Sequence, residues 1–367
     1  MNKSGDAALN AVCPYFTMFP LAFPHSILKR HALADQTVCD PFCGRGTTVL
    51  AARMLDLKAV GIDSNPLAAA LTDAKLVHTT PQAIAEAMKS ILEEVRSPRS
   101  RPRGEFWDSA FHPDVLNILC RLRQGIIENC ATPAHRALRA IILGALHGPK
   151  TKRFSRSSYF SNQCPRTYAP KPDYAVRFWR KRRMQPRRVN VERIVSVRAE
   201  RYYARSVPHR RGGHAVKADV RHAGALGAFR GTIDWIITSP PYYGMRTYAP
   251  DQWLRLWFLG GPTRPNYAEA EQLTHASADA FAQDLGSVWK NLARRASDNC
   301  KLVVRFGAIN DRKLNPVELL RTSMRGSGWR ISTIHAAGRP PLGRRQAEHF
   351  GTRSEVLDEF DVWAGRC

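Results

Sequence analysis

The stretch Thr37-Val38-Cys39-Asp40-Pro41-Phe42-Cys43-Gly44-Arg45-Gly46-Thr47-Thr48 decides the fold. Its first residues read as a strand, and Gly44 and Gly46 remove side chains where a ligand would approach the backbone. Val49 to Leu55 reads as a helix that Thr47 can cap, and Lys58 to Ile62 as a second strand ending in Asp63. Strand, glycine turn, helix and strand make a βαβ unit, which calls for a parallel sheet. An acid about twenty residues beyond the first glycine sits where a carboxylate accepts both hydroxyls of a ribose. No Gly-Lys-Ser/Thr follows, so this is not a Walker loop, and a phosphate-free nucleoside ligand fits at least as well as a dinucleotide.

Upstream, residues 13 to 31 are rich in aromatics and proline ahead of a short helical run. They read either as a lid packed on the core or, through Tyr15, Phe19 and Pro20, as one wall of a small-molecule pocket. Downstream, residues 81 to 148 carry apolar side chains at three- and four-residue spacing and read as helices, with a loop from Arg96 to Gly104. Ala215 to Val220 reads as a third strand. Ile233-Asp234-Trp235-Ile236-Ile237 is β-branched and apolar and reads as a buried fourth, stopped by Thr238-Ser239-Pro240-Pro241-Tyr242. Each proline fixes its own φ and holds the residue before it extended, so Ser239 to Tyr242 forms a rigid corner at a strand end, where open α/β sheets bind ligands. Further strands over 300–306, 331–334 and 360–363 alternate with helices over 278–296 and 316–324. The expected architecture is therefore α/β, with a mostly parallel sheet covered on both faces.

The chain of 367 residues has a formal charge of +25, which attracts a polyanion and otherwise repels itself. Between Lys150 and Arg211 there are nineteen Lys and Arg against three acids, interleaved with Tyr, Phe and Trp. Arginine neutralises phosphates and aromatics stack on unpaired bases, so this stretch suits nucleic acid. Arg153, Arg156, Lys171, Arg177 and Arg180 are the candidate contacts there, together with Asn162, Gln163 and Arg166 of a proline-stiffened loop whose amides and guanidinium are of the kind that read base edges. The alternative is a solvated basic face. No run approaches the roughly 18 to 20 apolar residues of a membrane span, and the first residues lack a signal-peptide layout, so a cytoplasmic location is expected. Eight cysteines without a Cys-x-x-Cys pair point to free thiols and to no metal site.

Asp40-Pro41-Phe42-Cys43-Gly44-Arg45-Gly46-Thr47 resembles the cofactor motif, and Thr238-Ser239-Pro240-Pro241-Tyr242 the catalytic motif, of the amino-group DNA methyltransferases that use S-adenosyl-L-methionine. Arg45 stands where that family usually has serine. The resemblance covers residues 13 to 76 and about 213 to 310, and it implies a Rossmann-like class I methyltransferase with a seven-stranded sheet. It also implies that Asp219 accepts a hydrogen bond from the adenine amino group of the cofactor. Serine ahead of the prolines resembles the cytosine-N4 members more than the adenine-N6 ones. The implied function is site-specific methylation of cytosine N4 in DNA, with a companion restriction endonuclease as a possible partner; adenine N6 in DNA or a base in RNA are the alternatives. Ser239 Oγ and the Pro240 carbonyl would accept hydrogen bonds from the target amino group, and Tyr242 would stack on the base once it leaves the duplex. Residues 1–80 and 213–367 are expected to form the catalytic domain and 81–212 an inserted, DNA-facing segment.

Overall fold

The computed structural model describes residues 5–15, 19–148, 158–164, 171–227, 229, 231–244, 252–266, 273–309, 314–338 and 356–367. The chain divides into two compact units. One comprises Tyr15–Leu76, His209–Thr247 and Glu269–Cys367 and holds the sheet; the other comprises Met1–Pro14, Val77–Pro208 and Tyr248–Ala268.

The sheet is built from β1 (Thr37–Asp40), β2 (Lys58–Asp63), β3 (Gly213–Lys217), β4 (Ile233–Thr238), β5 (Ala296–Ile309), β6 (Trp329–Gly338) and β7 (Val356–Arg366). Their order is β3-β2-β1-β4-β5-β7-β6. The pairings from β3 through β5 are parallel, and β7 runs antiparallel between β5 and β6. This is the Rossmann-like class I arrangement expected from the sequence. The chain steps outward from β1 to β2 and β3, then returns to the other side of β1 with β4. β1 and β4 therefore flank the point at which the strand order reverses, the standard place for a ligand crevice in an open α/β sheet.

Alternation along the strands feeds two cores. Cys39, Ile236, Leu302 and Val304 pack with Phe281, Leu285, Val288 and Trp289 of the helix Ala278–Ala293 and with Leu320 of the helix Pro316–Met324. Their neighbours Val38, Trp235, Ile237 and Val303 pack with Leu28 of the helix Ala22–His31 and with Val49 and Ala52 of the helix Thr47–Met54. Because successive side chains leave a strand on opposite sides, these are the two faces of one sheet. At the amino ends of the central strands, Asp234 accepts hydrogen bonds from the Thr37 N–H at 2.9 Å and from Ser297 Oγ at 2.8 Å, which fixes β1, β4 and β5 against one another.

The other unit is helical, with helices Pro81–Glu94, Glu105–Ala110, Pro113–Glu128, Pro133–Ala145, Pro172–Lys181, Val191–Tyr203 and Trp253–Phe258 among its described residues. Proline repeatedly opens a helix here, where its missing N–H costs nothing, and Thr80 and Thr132 cap the helices that follow them. Two helices fall inside the basic stretch that composition alone marks as a groove; the apolar stripe Ala175, Val176, Phe178 and Trp179 explains the first of them. Residues 1–14 and 248–268 also belong to this unit, so its path through the sequence is less contiguous than 81–212.

Trp289 is fully buried, donates Nε1–H to Ser323 Oγ at 3.0 Å and accepts from Trp329 Nε1 through its carbonyl. Trp289→Ala is expected to lower stability by about 3 to 5 kcal/mol in urea unfolding, the usual cost of deleting a large buried aromatic.

Candidate active site

β1 ends in Asp40, and the chain then makes a tight loop in which the Cys43 N–H donates to the Ile62 carbonyl at 3.0 Å and the Gly46 N–H to the Cys43 carbonyl at 2.6 Å. Gly46 has φ +78°, and a Cβ there would lie 2.7 Å from Thr72 Oγ1 and 3.0 Å from Thr72 Cα. Both the backbone and the packing of the loop on the helix Pro66–Leu76 therefore demand glycine. Thr47 does not cap the next helix: Gly46 takes the cap position without a side-chain hydrogen bond, and Thr47 is buried as the first helical residue. Pro41 is buried, while Phe42 stays partly exposed beside the loop.

Asp63 faces this loop across β2. One carboxylate oxygen accepts the Gly44 N–H and the other the Asn65 N–H, each at 2.9 Å. Asn65 Nδ2 donates to the Tyr15 hydroxyl at 3.4 Å, and the Tyr15 ring stands 3.7 Å from where a Gly44 Cβ would be. Tyr15, Gly44, Asp63 and Asn65 thus form one wall. Asn65 escapes a reading of motifs because its position before Pro66 already explains it as a helix start, a role it also fills by accepting the Leu67 N–H. Phe19 is buried and meets Phe23 edge to face at 5.4 Å.

The second motif joins the first through one buried contact: Thr238 Oγ donates to Asp40 Oδ1 at 2.7 Å. Thr48 Oγ adds a bond to the Ile237 carbonyl at 3.0 Å. Desolvation pushes Asp40 up to about 6, against the pull of hydrogen bonds from Thr238 and the Phe42 N–H and with a further push from Asp63. Enclosure on its protein side raises Asp63 to about 6 as well, although the residue is partly open to solvent. Beyond Thr238 the corner leaves the core: Ser239 is partly exposed, Pro240 buried and Pro241 partly exposed. Cys39 and Cys43 are buried, and burial pushes both thiols up, in keeping with packing roles.

Residues 2–73 match the DNA methylase family. Comparison with curated protein sequences finds no match. Among solved structures the chain is similar to the rRNA methyltransferase AviRa from Streptomyces viridochromogenes, with 13% identity, coverage of 100% of this chain and 93% of that one, and a TM-score of 0.36. It is also similar to TrmN from Thermus thermophilus, with 9% identity, 100% and 52% coverage, and a TM-score of 0.37. At these scores the likenesses add nothing to the strand order, which stands on its own.

S-adenosyl-L-methionine, the cofactor that the sequence resemblance implies, fits the wall just described. Gly44, partly exposed and without a side chain, leaves backbone open to a ligand, Asp63 retains lone pairs for ribose hydroxyls, and Tyr15 supplies an aromatic side. Two carboxylates beside the loop would repel a phosphate and suit S-adenosyl-L-methionine, a nucleoside whose sulfur is cationic.

Other expected residues are placed differently. Asp219 lies just past β3, and its carboxylate is gripped by Arg221, with Nε at 3.1 Å from Oδ1 and Nη2 at 2.6 Å from Oδ2. Arg221 Nη1 also reaches Asp284 at 2.9 Å. Burial alone would raise Asp219, but the hydrogen bonds and charge of Arg221 outweigh it and hold the acid below its usual range. Asp219 is therefore already paired with Arg221, a partner unremarkable in the sequence, and any further donor would have to share its carboxylate. Tyr242 is likewise only 5% exposed, with its ring edge-on to Phe306 and its hydroxyl donating to Glu359, so it offers no face for a base. Asn162 is buried, its amide donating to the Ser109 carbonyl at 2.7 Å, and so cannot read base edges. The Gln163 carbonyl accepts from Trp179 Nε1. Lys171 and Arg177 are exposed, and Arg180 is exposed but paired with Glu105. Arg153, Arg156 and Arg166 lie outside the described residues.

Two outcomes test this site. Gly46→Ala should cost at least about 1 to 2 kcal/mol in urea unfolding, the penalty of a left-handed non-glycine residue, with more from the Thr72 contact. Asp40 binds its proton more tightly folded than unfolded, so stability should fall as pH rises from about 4 to about 6 and level off above. Asp40→Asn, which keeps an acceptor for Thr238, should make that fall shallower when unfolding is measured across the range.

Proposed function

We propose that this chain is a DNA amino-methyltransferase that uses S-adenosyl-L-methionine to modify N4 of cytosine in duplex DNA, site-specifically and alongside a nuclease of matching specificity. The observation that carries the reading is the Thr238 to Asp40 hydrogen bond, because it sets the Ser239-Pro240 corner beside the glycine loop at the carboxyl ends of adjacent parallel strands. When bound, the cofactor supplies a methyl group on a positively charged sulfur.

The chain's task is then to prepare an amino nitrogen. An exocyclic amino group is a poor nucleophile because its lone pair is delocalised into the ring. Ser239 Oγ and the Pro240 carbonyl accept its two N–H bonds, which draws the nitrogen towards a pyramidal shape and aims its lone pair. A prolyl carbonyl suits this because the two rings hold it still. Orientation of this kind is worth on the order of 7 to 11 kcal/mol of barrier when alignment is good. No covalent intermediate is needed, which agrees with buried, inert Cys39 and Cys43.

Residues 81–212 are assigned to the DNA, which the exposed Lys171 and Arg177 support. Phosphate contacts of this sort make binding weaken steeply with salt.

Labelled methyl transfer from the cofactor to duplex DNA, single-stranded DNA and RNA, followed by nucleoside mass spectrometry, tests the reading. N4-methylcytosine in DNA is the expected product. N6-methyladenine would keep the mechanism and change the base, label in RNA alone would change the acceptor, and no transfer to any of the three would reject the proposal. Ser239→Ala should reduce kcat by about a hundredfold or more, the scale of one lost preorganised hydrogen bond, with cofactor affinity unchanged.

A further inference from the structure

We infer that Glu359 is a positioning residue for the Ser239-Pro240 corner, acting through the Tyr242 hydroxyl; the inference rests on the methyltransferase reading of that corner. Glu359 lies on β7, only 4% exposed, and its carboxylate accepts the Tyr242 hydroxyl. Its partner across the β5–β7 ladder is Gly307. A Cβ at Gly307 would stand 3.2 Å from Tyr242 Cε2 and 3.3 Å from Glu359 Cγ, tighter than side chains ordinarily meet. The missing side chain at 307 is what lets the tyrosine and the glutamate pack together. Phe306, the preceding residue of β5, holds the ring edge to face at 5.5 Å and 78°.

These contacts clamp Tyr242 on three sides, two residues beyond the carbonyl that accepts an amino N–H in the proposed function. Pro240 and Pro241 lack the φ freedom to absorb a shift at Tyr242, so holding its side chain narrows the positions open to the Pro240 carbonyl. A hydrogen bond to a carboxylate is shorter and stronger than one to a neutral acceptor, and in a buried site neither partner can exchange the other for water. The ring acts as a strut between β7 and the corner, in place of the base-stacking platform that its position in the motif implies.

The two roles differ in what Phe at 242 would do. It keeps the ring needed for stacking and removes the hydroxyl needed by the strut. Steady-state methyl transfer to DNA should be compared for the wild type, Tyr242→Phe, Glu359→Leu, the double variant and Glu359→Gln, with Tm measured for each. We expect Tyr242→Phe and Glu359→Leu each to lower kcat about tenfold or more, since a displacement of roughly 1 Å at reacting atoms can cost a hundredfold. The cofactor KM should stay unchanged, the double variant should be no worse than either single, and Glu359→Gln, which keeps an acceptor, should recover most of the rate. Wild-type kcat in Tyr242→Phe would overturn the inference while leaving the methyltransferase reading intact. So would multiplying losses in the double variant, or a loss that follows Tm and is not recovered by Gln. Absence of transfer by the wild type itself would overturn both.

Discussion

The hydrogen bond from Thr238 to Asp40 is the constraint on which the rest of the site depends. Its partners lie 198 residues apart in sequence, both are buried, and each would be costly to enclose without the other. A threonine in a strand leaving the core and an aspartate closing the neighbouring strand bring a glycine loop and a proline corner to one place. Asp234 performs the matching task at the opposite ends of the same strands, so the central pair is held at both ends by carboxylates. Between these two fixed points the sheet interior needs only to be apolar, and it is.

Much of this arrangement is legible in the sequence. The βαβ unit is readable because glycine spacing, strand composition and the acid at Asp63, which accepts the Gly44 N–H, all arise from the requirements of one tight turn. The corner is readable because two consecutive prolines leave the backbone few choices. The helix Pro316–Met324 is legible from its apolar spacing, and it begins at proline behind an Asn315 cap. Strand bounds are less so: β5 runs from Ala296 to Ile309, beyond its apolar heart at both ends, because Ala296 pairs with Ile233 of β4 and antiparallel pairing with β7 carries the strand past Val304.

What sequence does not disclose is where a polar side chain spends its hydrogen bonds. Asp219, Tyr242 and Asn162 each carry groups suited to a ligand, and each is engaged by the protein: by Arg221, Glu359 and the Ser109 carbonyl. Those partners lie 2, 117 and 53 residues away, and nothing local marks Glu359 or Ser109 as destinations. The same limit hides Asn65, whose visible duty as a helix start masks its reach to Tyr15. Side-chain chemistry nominates candidates; tertiary pairing decides which remain available.

The placement of β7 bears on how the sheet is assembled. It lies between β5 and β6 but follows both in the chain, so neither of those strands can complete its ladder until residues 356–366 have been made and threaded into place. The earlier strands β1 to β4 can pair as they emerge, whereas the exposed edge of β5 must wait. An unpaired edge of that kind is an invitation to misassociation during synthesis. The interval in which β5 lacks its neighbour, rather than the finished sheet, is therefore where this protein is most vulnerable to aggregation.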